Sequence, residues 1–282
     1  MLFLADTHAS IAIVPVSKED CSDANELGER LGLPVLMPGT SASDCARQIA
    51  VLQVDGLHLS LQQTGPKSPG PVTVDFGTAA MRYRRRGGHN ELLGRAVGVG
   101  KAPHIHVLDA TAGLGRDGFV LADLGCSVLL CERHPVIAEL LRAGLQRAER
   151  DEDAWLRSVV GRMGLFDGDV RRVGRDRISR QDVIFLDPMF PPRNKRAAVK
   201  KELSLLQSVL AMHESQDQGF PDMATFGEQD APALLRWALS QTVARVVVKR
   251  PPNAPPLADV KASHCLRGKA VRYDVYVLRP LQ

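Results

Sequence analysis

The sequence predicts an α/β protein with a mostly parallel β-sheet, preceded by a smaller αβ region. Over residues 71–282, apolar runs of strand length alternate with helical stretches. Helical connections between strands imply a parallel sheet that is covered on both faces. Before residue 71 the sequence has the pattern of a compact αβ region, and residues 65–71, which are rich in glycine, proline and serine, are typical of a linker or exposed turn. We therefore predict a small N-terminal αβ domain at residues 1–70 and a larger domain at residues 71–282.

Composition indicates a soluble globular protein. Of 282 residues, 44% are hydrophobic and 24% are charged, with a formal net charge of +4. The five cysteines are scattered and form no CxxC pair, so neither a disulfide framework nor a zinc site is predicted. Residues 1–16 lack a basic leader and are typical of a strand, and no apolar segment has the length of a membrane span. These features predict a cytoplasmic protein that is not in a membrane.

The predicted elements of the first region are few. Residues 11–16 form a strand run, residues 23–31 a helix, and residues 34–38 a possible second strand. Residues 50–62 alternate around a central Asp55-Gly56, which is a hairpin signal.

The larger region begins with a short strand at 72–76 and a helix at 90–97. The four clearest strands are 104–110, 127–132, 183–187 and 245–249, and the helices among them are 117–124, 135–148 and 232–241. A short third strand is expected before Gly168, and residues 214–230 are expected to form a surface loop. Two final strands, near 265–266 and at 271–278, are expected to form a hairpin at one edge of the sheet.

A glycine-rich loop joins the first of these strands to the first helix. Gly113, Gly115 and Gly118 satisfy G-x-G-x-x-G, and Glu132 closes the next strand. Glycines permit a sharp turn and close approach to a ligand, and a carboxylate at the end of the second strand can hold ribose hydroxyls. The pattern predicts an adenosine-containing ligand, either NAD or S-adenosylmethionine.

Two carboxylates favour S-adenosylmethionine. Asp109 ends the first strand and Asp117 lies at the start of the helix, and both positions are unfavourable for a pyrophosphate. Asp109 suits the cationic end of a methionine moiety, and Arg116 can pair with its carboxylate.

A second motif follows the strand at 183–187. In Asp187-Pro188-Met189-Phe190-Pro191-Pro192, the Asp187 carboxylate and the Pro188 carbonyl can accept hydrogen bonds from an exocyclic amine. Phe190 can stack on the ring that carries this amine. The predicted catalytic residues are therefore Asp187, Pro188 and Phe190. Taken alone, this segment is also compatible with an ordinary loop after a strand, because prolines commonly end strands.

Taken together, these motifs resemble those of a known family. The run from Asp109 to Asp117, the pair Glu132-Arg133, and the run from Asp187 to Pro191 are similar to the small-subunit ribosomal RNA methyltransferase J family, over about residues 72–278. The resemblance implies a class I methyltransferase sheet of seven strands, the last antiparallel, after a small N-terminal domain. It also implies transfer of a methyl group to N2 of a guanine in 16S ribosomal RNA.

The resemblance adds further site residues. It implies that S-adenosylmethionine is contacted by Arg116, Asp117, Glu132, Arg133, Asp187 and a pair at Gly168-Asp169, where Asp169 is able instead to accept a hydrogen bond from the adenine amine. With the glycine loop, the cofactor-binding set is Asp109, Gly113, Gly115, Arg116, Asp117, Glu132, Arg133, Gly168, Asp169 and Asp187.

Basic residues around the second motif predict contacts with RNA phosphates. These are Arg193, Lys195, Arg196, Lys200, Lys201, Arg84 and Arg85, with the same role possible for Lys249 and Arg250. The expected partner is ribosomal RNA or the small ribosomal subunit. No metal ligand spacing is found, and the sequence does not determine the oligomeric state.

Three alternatives remain at this point. A methyltransferase of the same fold acting on adenine N6 or on a protein amide would use the second motif almost equally well. An NAD-dependent oxidoreductase would share the glycine pattern, but it needs a hydride-transfer acid/base pair that the sequence does not reveal. A non-enzymatic RNA-binding module would require the glycine loop to be vestigial.

Overall fold

The computed structural model describes residues 11–45, 47–65, 68, 70–79, 81–82, 91–188 and 230–282. Its contacts divide the chain into two compact units. Of the described residues, the first unit includes those up to Val74 and Glu139–Arg147, and the second includes those of 75–138, 148–188 and 230–282. The predicted domain boundary between residues 70 and 71 stays a prediction.

The first unit contains a three-stranded sheet. Strands β1 (Ile11–Pro15), β2 (Ala50–Asp55) and β3 (His58–Gln63) lie in that order, and helix α1 (Cys21–Leu31) follows β1. β1 and β2 are parallel, whereas β2 and β3 form the predicted antiparallel hairpin. Val14, Cys45 and Val51 form a small buried cluster on this sheet.

Two predicted strands in this part of the chain are wrong. Residues 34–38 contribute one isolated bridge, from Ile13 to Val35, because prolines cannot donate to a ladder. Residues 72–76 likewise contribute one bridge, from Leu61 to Val72. The extended run ends there in a local turn, in which the Asp75 carboxylate accepts the Gly77 backbone N–H at 2.8 Å.

From residue 91 onward, the described part of the chain alternates strands with helices, as predicted. After α2 (Glu91–Val97), the elements that position the site are β4 (His106–Asp109), α3 (Arg116–Asp123), β5 (Ser127–Glu132), α4 (Pro135–Glu149), α5 (Ala154–Val160), β6 (Met163–Asp167), α6 (Arg175–Ile178), β7 (Val183–Leu186), α7 (Ala231–Leu239), β8 (Arg245–Arg250), β9 (His264–Arg267) and β10 (Arg272–Val277). The short helices α5 and α6 are not predicted by the sequence.

Seven of these strands form one sheet, in the order β6-β5-β4-β7-β8-β10-β9. The pairs from β6 to β8 are parallel, and β10 is antiparallel to both β8 and β9. β9 and β10 form the predicted hairpin at the sheet edge. The predicted α/β class with a mostly parallel seven-stranded sheet is confirmed.

Apolar side chains cover the sheet and fix its strands. On one face, Leu108, Ile184 and Val246 pack with Leu235 of α7 in a single buried cluster. Phe119 of α3 is buried, stacks on Phe76 with ring centroids 4.9 Å apart, and meets Trp155 edge-on. No helix in the described part of the chain is long and apolar enough to cross a membrane.

Candidate active site

The candidate residues gather where the parallel strands end. β4 lies between β5 and β7, so the chain moves outward in one direction through β5 and β6 and in the other through β7 and β8. Loops that follow neighbouring strands diverge at such a reversal and leave a crevice at the carboxyl edge of the sheet. Asp109, Glu132, Asp169, Asp187 and Lys249 all lie at or just beyond this edge.

The three glycines of the loop after β4 have different physical roles. Gly113 and Gly115 have φ angles of 54° and 72°, which L side chains rarely adopt. A Cβ at Gly113 would meet no atom within 4 Å, so space is open above the turn. At Gly118 a Cβ would lie 2.3 Å from Leu130 Cδ2, so this glycine permits close packing of α3 on β5.

Glu132 anchors the glycine loop. Its Oε2 accepts the Gly113 backbone N–H and its Oε1 accepts the His134 backbone N–H, both at 2.8 Å. Burial raises the pKa of Glu132, although these two hydrogen bonds oppose the shift. Each carboxylate oxygen retains a second lone pair, so this arrangement is compatible with the predicted contact to ribose hydroxyls.

Asp109 is enclosed at the end of β4, with 1% of its surface exposed. Its Oδ1 accepts the Thr111 backbone N–H at 3.2 Å. Burial raises the pKa of Asp109 well above its ordinary value, and the nearby Asp117 carboxylate raises it further. A buried carboxyl beside other carboxylates is suited to a cationic ligand group, which would stabilise the charged form that burial and the neighbouring carboxylates disfavour.

The glycine loop and the Asp187 loop are directly joined. The Asp187 backbone N–H donates to Thr111 Oγ1 at 2.7 Å, and the Ala110 backbone N–H donates to the Phe185 carbonyl at 3.0 Å. The two loops predicted to share a site are therefore neighbours. Pro188 is buried beside Asp187.

Lys249 of β8 bridges two carboxylates. Its Nζ lies 2.5 Å from Asp117 Oδ2 and 2.7 Å from Asp187 Oδ2. Partial removal from water raises the pKa of Asp187, and the Lys249 ammonium opposes that rise. The sequence suggested a phosphate contact for Lys249, but the structure pairs it with these carboxylates instead.

A second charged network lies at the ends of β5 and β6. Arg133 Nη1 is 2.6 Å from Asp230 Oδ2, and Arg171 Nη1 is 3.2 Å from Asp230 Oδ1. Arg171 also holds both oxygens of Asp169, at 2.8 Å and 2.5 Å. Burial alone would raise the pKa of Asp169, but its hydrogen bonds with Arg171 lower it below the ordinary value. Asp169 is thus engaged by Arg171 at both of its oxygens, and an adenine amine would have to share one of them.

The remaining predicted residues divide into two groups. Gly168, with φ 145°, donates its N–H to the Glu132 carbonyl at 2.8 Å, and half-buried Arg116 is the first residue of α3. The other predicted residues lie outside the described part of the chain: Phe190, Arg193, Lys195, Arg196, Lys200, Lys201, Arg84 and Arg85.

Sequence reasoning missed four participants, Thr111, Arg171, Asp230 and the bridging role of Lys249. Thr111 lies inside the glycine motif, but its hydroxyl contact spans 76 positions along the chain. Lys249 and Asp117 are 132 positions apart. Only the strand order, which places β7 between β4 and β8, would have revealed these contacts.

The residues present fit S-adenosylmethionine. An open glycine turn, a carboxylate after β5 and an acidic cluster around Asp109 provide for an adenosine at one end and a cationic methionine group at the other. Within the described residues, no group of three or more potential metal ligands is found. The fold and this edge of the sheet define a class I S-adenosylmethionine-dependent methyltransferase.

Comparisons with known proteins agree with this class. A family model described as "Putative SAM-dependent methyltransferase" matches residues 40–278. A crystal structure of an S-adenosylmethionine-dependent methyltransferase from Neisseria gonorrhoeae has a TM-score of 0.66 and 28% identity, covering 96% of this chain and 98% of that one.

Curated relatives define the family more narrowly. Ribosomal RNA small subunit methyltransferase J from Thioalkalivibrio sulfidiphilus is 44% identical over 279 residues, which is 97% of this chain and 99% of the relative. The enzyme of the same name from Pseudomonas aeruginosa strain UCBPP-PA14 is 43% identical over 283 residues, 99% of each chain. This chain belongs to the ribosomal RNA small subunit methyltransferase J family. The resemblance predicted from the motifs is confirmed, and the NAD-dependent alternative is wrong.

Proposed function

We propose that this protein transfers a methyl group from S-adenosylmethionine to the exocyclic N2 of a guanine in 16S ribosomal RNA. The observation that carries the proposal is the hydrogen bond between the Asp187 backbone N–H and Thr111 Oγ1, which holds the amine-binding motif against the cofactor loop. The names of the curated relatives supply the substrate class.

Roles for the described residues follow from their placement. Glu132 would hold the ribose hydroxyls, and Asp109 and Asp117 would face the cationic methionine end, with Arg116 pairing with its carboxylate. Arg133, Gly168 and Asp169 would border the adenosine. When bound, S-adenosylmethionine supplies an activated methyl group on a sulfonium.

Asp187 and Pro188 would bind the amine that receives the methyl group. Methyl transfer to an amine requires placement of the nitrogen in line with the methyl donor and acceptors that stabilise the developing positive charge. The Asp187 carboxylate and the Pro188 carbonyl provide those acceptors, and Phe190 would provide the stacking surface. The basic residues at 193–201 and 84–85 would neutralise phosphates near the target guanine, and the site of action would be the cytoplasm.

The test uses ribosomal RNA that lacks the modification. Naked 16S RNA and small subunits from cells without this gene are incubated with the protein and labelled S-adenosylmethionine, and the nucleosides are then separated. Label in N2-methylguanine supports the proposal. Label in N6-methyladenine, or transfer only to protein, would assign one of the rival amine or amide substrates instead.

A further inference from the structure

Lys249 lies between carboxylates from two different elements. Asp117 belongs to the first turn of α3, and Asp187 follows β7. The two ion-pair distances are 2.5 Å and 2.7 Å, and 24% of the Lys249 side chain is exposed. A lysine that served as a solvated RNA contact would not be bound in this way on both sides.

Strand order explains how one side chain reaches both partners. Val248 of β8 pairs with Leu186 of β7, so the next residues, Lys249 and Asp187, emerge side by side. The Lys249 side chain then extends to Asp117, which follows β4 on the other side of β7.

The strand end that carries Lys249 is itself fixed. Arg272 of β10 forms a two-pronged buried pair with Asp274, at 2.7 Å and 2.8 Å. Arg272 Nη1 also donates to the carbonyls of Pro252 and Ala254, in the loop that follows Lys249. The backbone around Lys249 is therefore held from the neighbouring strand, which favours a defined position for its ammonium.

Two carboxylates pair with this ammonium, from α3 and the end of β7, and its charge also acts on Asp109 at the end of β4. The carboxylates of Asp117 and Asp187 disfavour the charged form of Asp109, and the Asp117 carboxylate disfavours the charged form of Asp187. Among the described residues, Lys249 is the basic side chain that pairs with Asp187. Its contacts with Asp187 are made through Oδ2, and no described residue donates to Oδ1.

The inference rests on the function proposed above. We propose that Lys249 is a positioning residue for methyl transfer, which fixes the Asp187 carboxylate through Oδ2, ties it to Asp117, and leaves Oδ1 for the acceptor amine. Lys249 is not a base in this scheme. Burial alone would lower the pKa of Lys249, but the carboxylates of Asp187 and Asp117 outweigh burial and raise it well above its ordinary value.

A direct test measures the titration of Asp187 without cofactor or RNA. Aspartate labelled with carbon-13 at the carboxyl carbon is followed by NMR against pH, and the Asp187→Asn variant identifies the signal. Loss of the neighbouring cation in Lys249→Gln and Lys249→Met should move this titration upward by about one pH unit or more. Lys249→Arg, which keeps the charge, should stay close to the wild type.

The matched control is Lys101→Met, which removes an exposed lysine in the turn after α2. It should leave the Asp187 titration unchanged. An Asp187 signal that titrates at the same pH in the wild type and in Lys249→Gln overturns the proposal. Should Lys249→Met fail to fold, as judged by circular dichroism, Lys249→Gln still removes the charge while retaining a hydrogen-bond donor.

A second test measures single-turnover methyl transfer to unmodified ribosomal RNA between pH 5 and 9. The ionised Asp187 carboxylate is a stronger hydrogen-bond acceptor for the amine than the neutral acid, so the acid limb of the rate should move to higher pH in Lys249→Gln. Because the carboxylate also loses its fixed orientation, the rate at pH 8 should fall about 100-fold. Lys249→Arg should keep the limb and recover part of the rate.

The outcomes separate the two proposals. A wild-type protein that transfers no methyl group to ribosomal RNA contradicts the proposed function, while the NMR titration still reports on Lys249. A wild-type protein that is active, together with a Lys249→Gln variant of equal rate and equal acid limb, contradicts only the role of Lys249.

Discussion

At the scale of single residues, Asp187 combines features that few carboxylates share. Its backbone N–H is tied to Thr111, its Oδ2 to Lys249, and 37% of its side chain remains exposed. An aspartate that served only to end a strand would not need two fixed contacts and an open face.

Replacement of Asp187 by asparagine keeps the shape but removes the charge and turns one acceptor into a donor. We expect methyl transfer to fall by at least about 100-fold, as for loss of a group that stabilises transition-state charge. Single-turnover transfer to ribosomal RNA measures this effect, and circular dichroism checks the fold. A rate within a few-fold of the wild type would remove Asp187 from the chemistry.

The burial of the Asp109 carboxyl has a consequence for stability that depends on pH. Because the pKa of Asp109 is raised in the folded state, the folded protein binds more protons than the unfolded chain above the unfolded pKa. Its carboxyl therefore reduces stability as pH rises through the folded pKa, and the penalty is present in full above it.

The variant Asp109→Asn lacks this titration. It should be more stable than the wild type at pH 8, by about 1.4 kcal/mol for each unit by which the pKa of Asp109 is raised. The gain should shrink as the pH falls toward about 4 and vanish below it, where the carboxyl becomes neutral in both states. Urea unfolding at the two pH values measures the difference, and an equal stability difference at both would refute the explanation.

At the scale of elements, the contact between α3 and β5 depends on the absence of a side chain. A Cβ at Gly118 would lie 2.3 Å from Leu130 Cδ2 and 3.5 Å from Asp109 Oδ2. Close packing here sets the position of the helix whose first turn carries Arg116 and Asp117.

Gly118→Ala should therefore push the helix from the sheet and cost about 1–3 kcal/mol of unfolding free energy, the usual range for overpacking. Gly70→Ala is the matched control, since a Cβ at Gly70 meets nothing within 4 Å. Urea denaturation compares the two. Equal stability of the two variants would show that Leu130 moves aside without cost.

A second contact at the scale of elements is made by Asp230, the N-cap residue of α7. Its carboxylate forms ion pairs with Arg133 and Arg171, which come from the ends of two different strands of the sheet. By holding Arg171, Asp230 also supports the pair that Arg171 makes with Asp169.

Loss of the negative charge of Asp230 should weaken the ion-pair network that borders the proposed adenosine-binding part of the site. We expect Asp230→Asn to weaken binding of S-adenosylhomocysteine by about tenfold, which corresponds to about 1.4 kcal/mol. Asp259→Asn is a matched control, because Asp259 is exposed and lies in the loop after β8. Calorimetric titration of both variants with S-adenosylhomocysteine measures the Kd. An unchanged Kd for Asp230→Asn would show that this network contributes only to the stability of the fold.

The sequence pattern predicted the strands well where apolar runs are joined by helical connections. The strands β4, β5, β7 and β8 are apolar runs with helical connections, and each lies close to its predicted position. The strands expected at 34–38 and 72–76 fail because prolines and a local Asp75 turn remove ladder partners, which apolar content alone does not reveal.

The structure brings together residues that the two motifs single out, and their roles stay predictions. Gly113, Gly115, Glu132 and Asp187 occupy the positions that the two motifs imply. The bridging role of Lys249 was missed, because a lysine after a buried strand is compatible with many roles until its spatial partners are known. Arg171 and Asp230 were missed for the same reason, since they are joined across 59 positions.

At the scale of the whole molecule, binding of cofactor should stabilise the folded chain. A ligand at about 100 times its Kd adds about 2.7 kcal/mol when it binds only the folded state. We therefore expect S-adenosylhomocysteine to raise the Tm by several degrees, at about 2–4 °C for each kcal/mol. NAD at the same concentration should leave the Tm unchanged. A Tm shift with NAD and none with S-adenosylhomocysteine would contradict the cofactor assignment.

The distance of 132 positions between Asp117 and Lys249 has a consequence for the chain during its synthesis. A nascent polypeptide that has emerged only as far as α3 contains Asp109 and Asp117 but not the Lys249 ammonium that balances their charge. The Lys249 ammonium becomes available only after β8 has left the ribosome. We therefore expect the complete charged cluster to form only after five of the seven strands of this sheet have been synthesised.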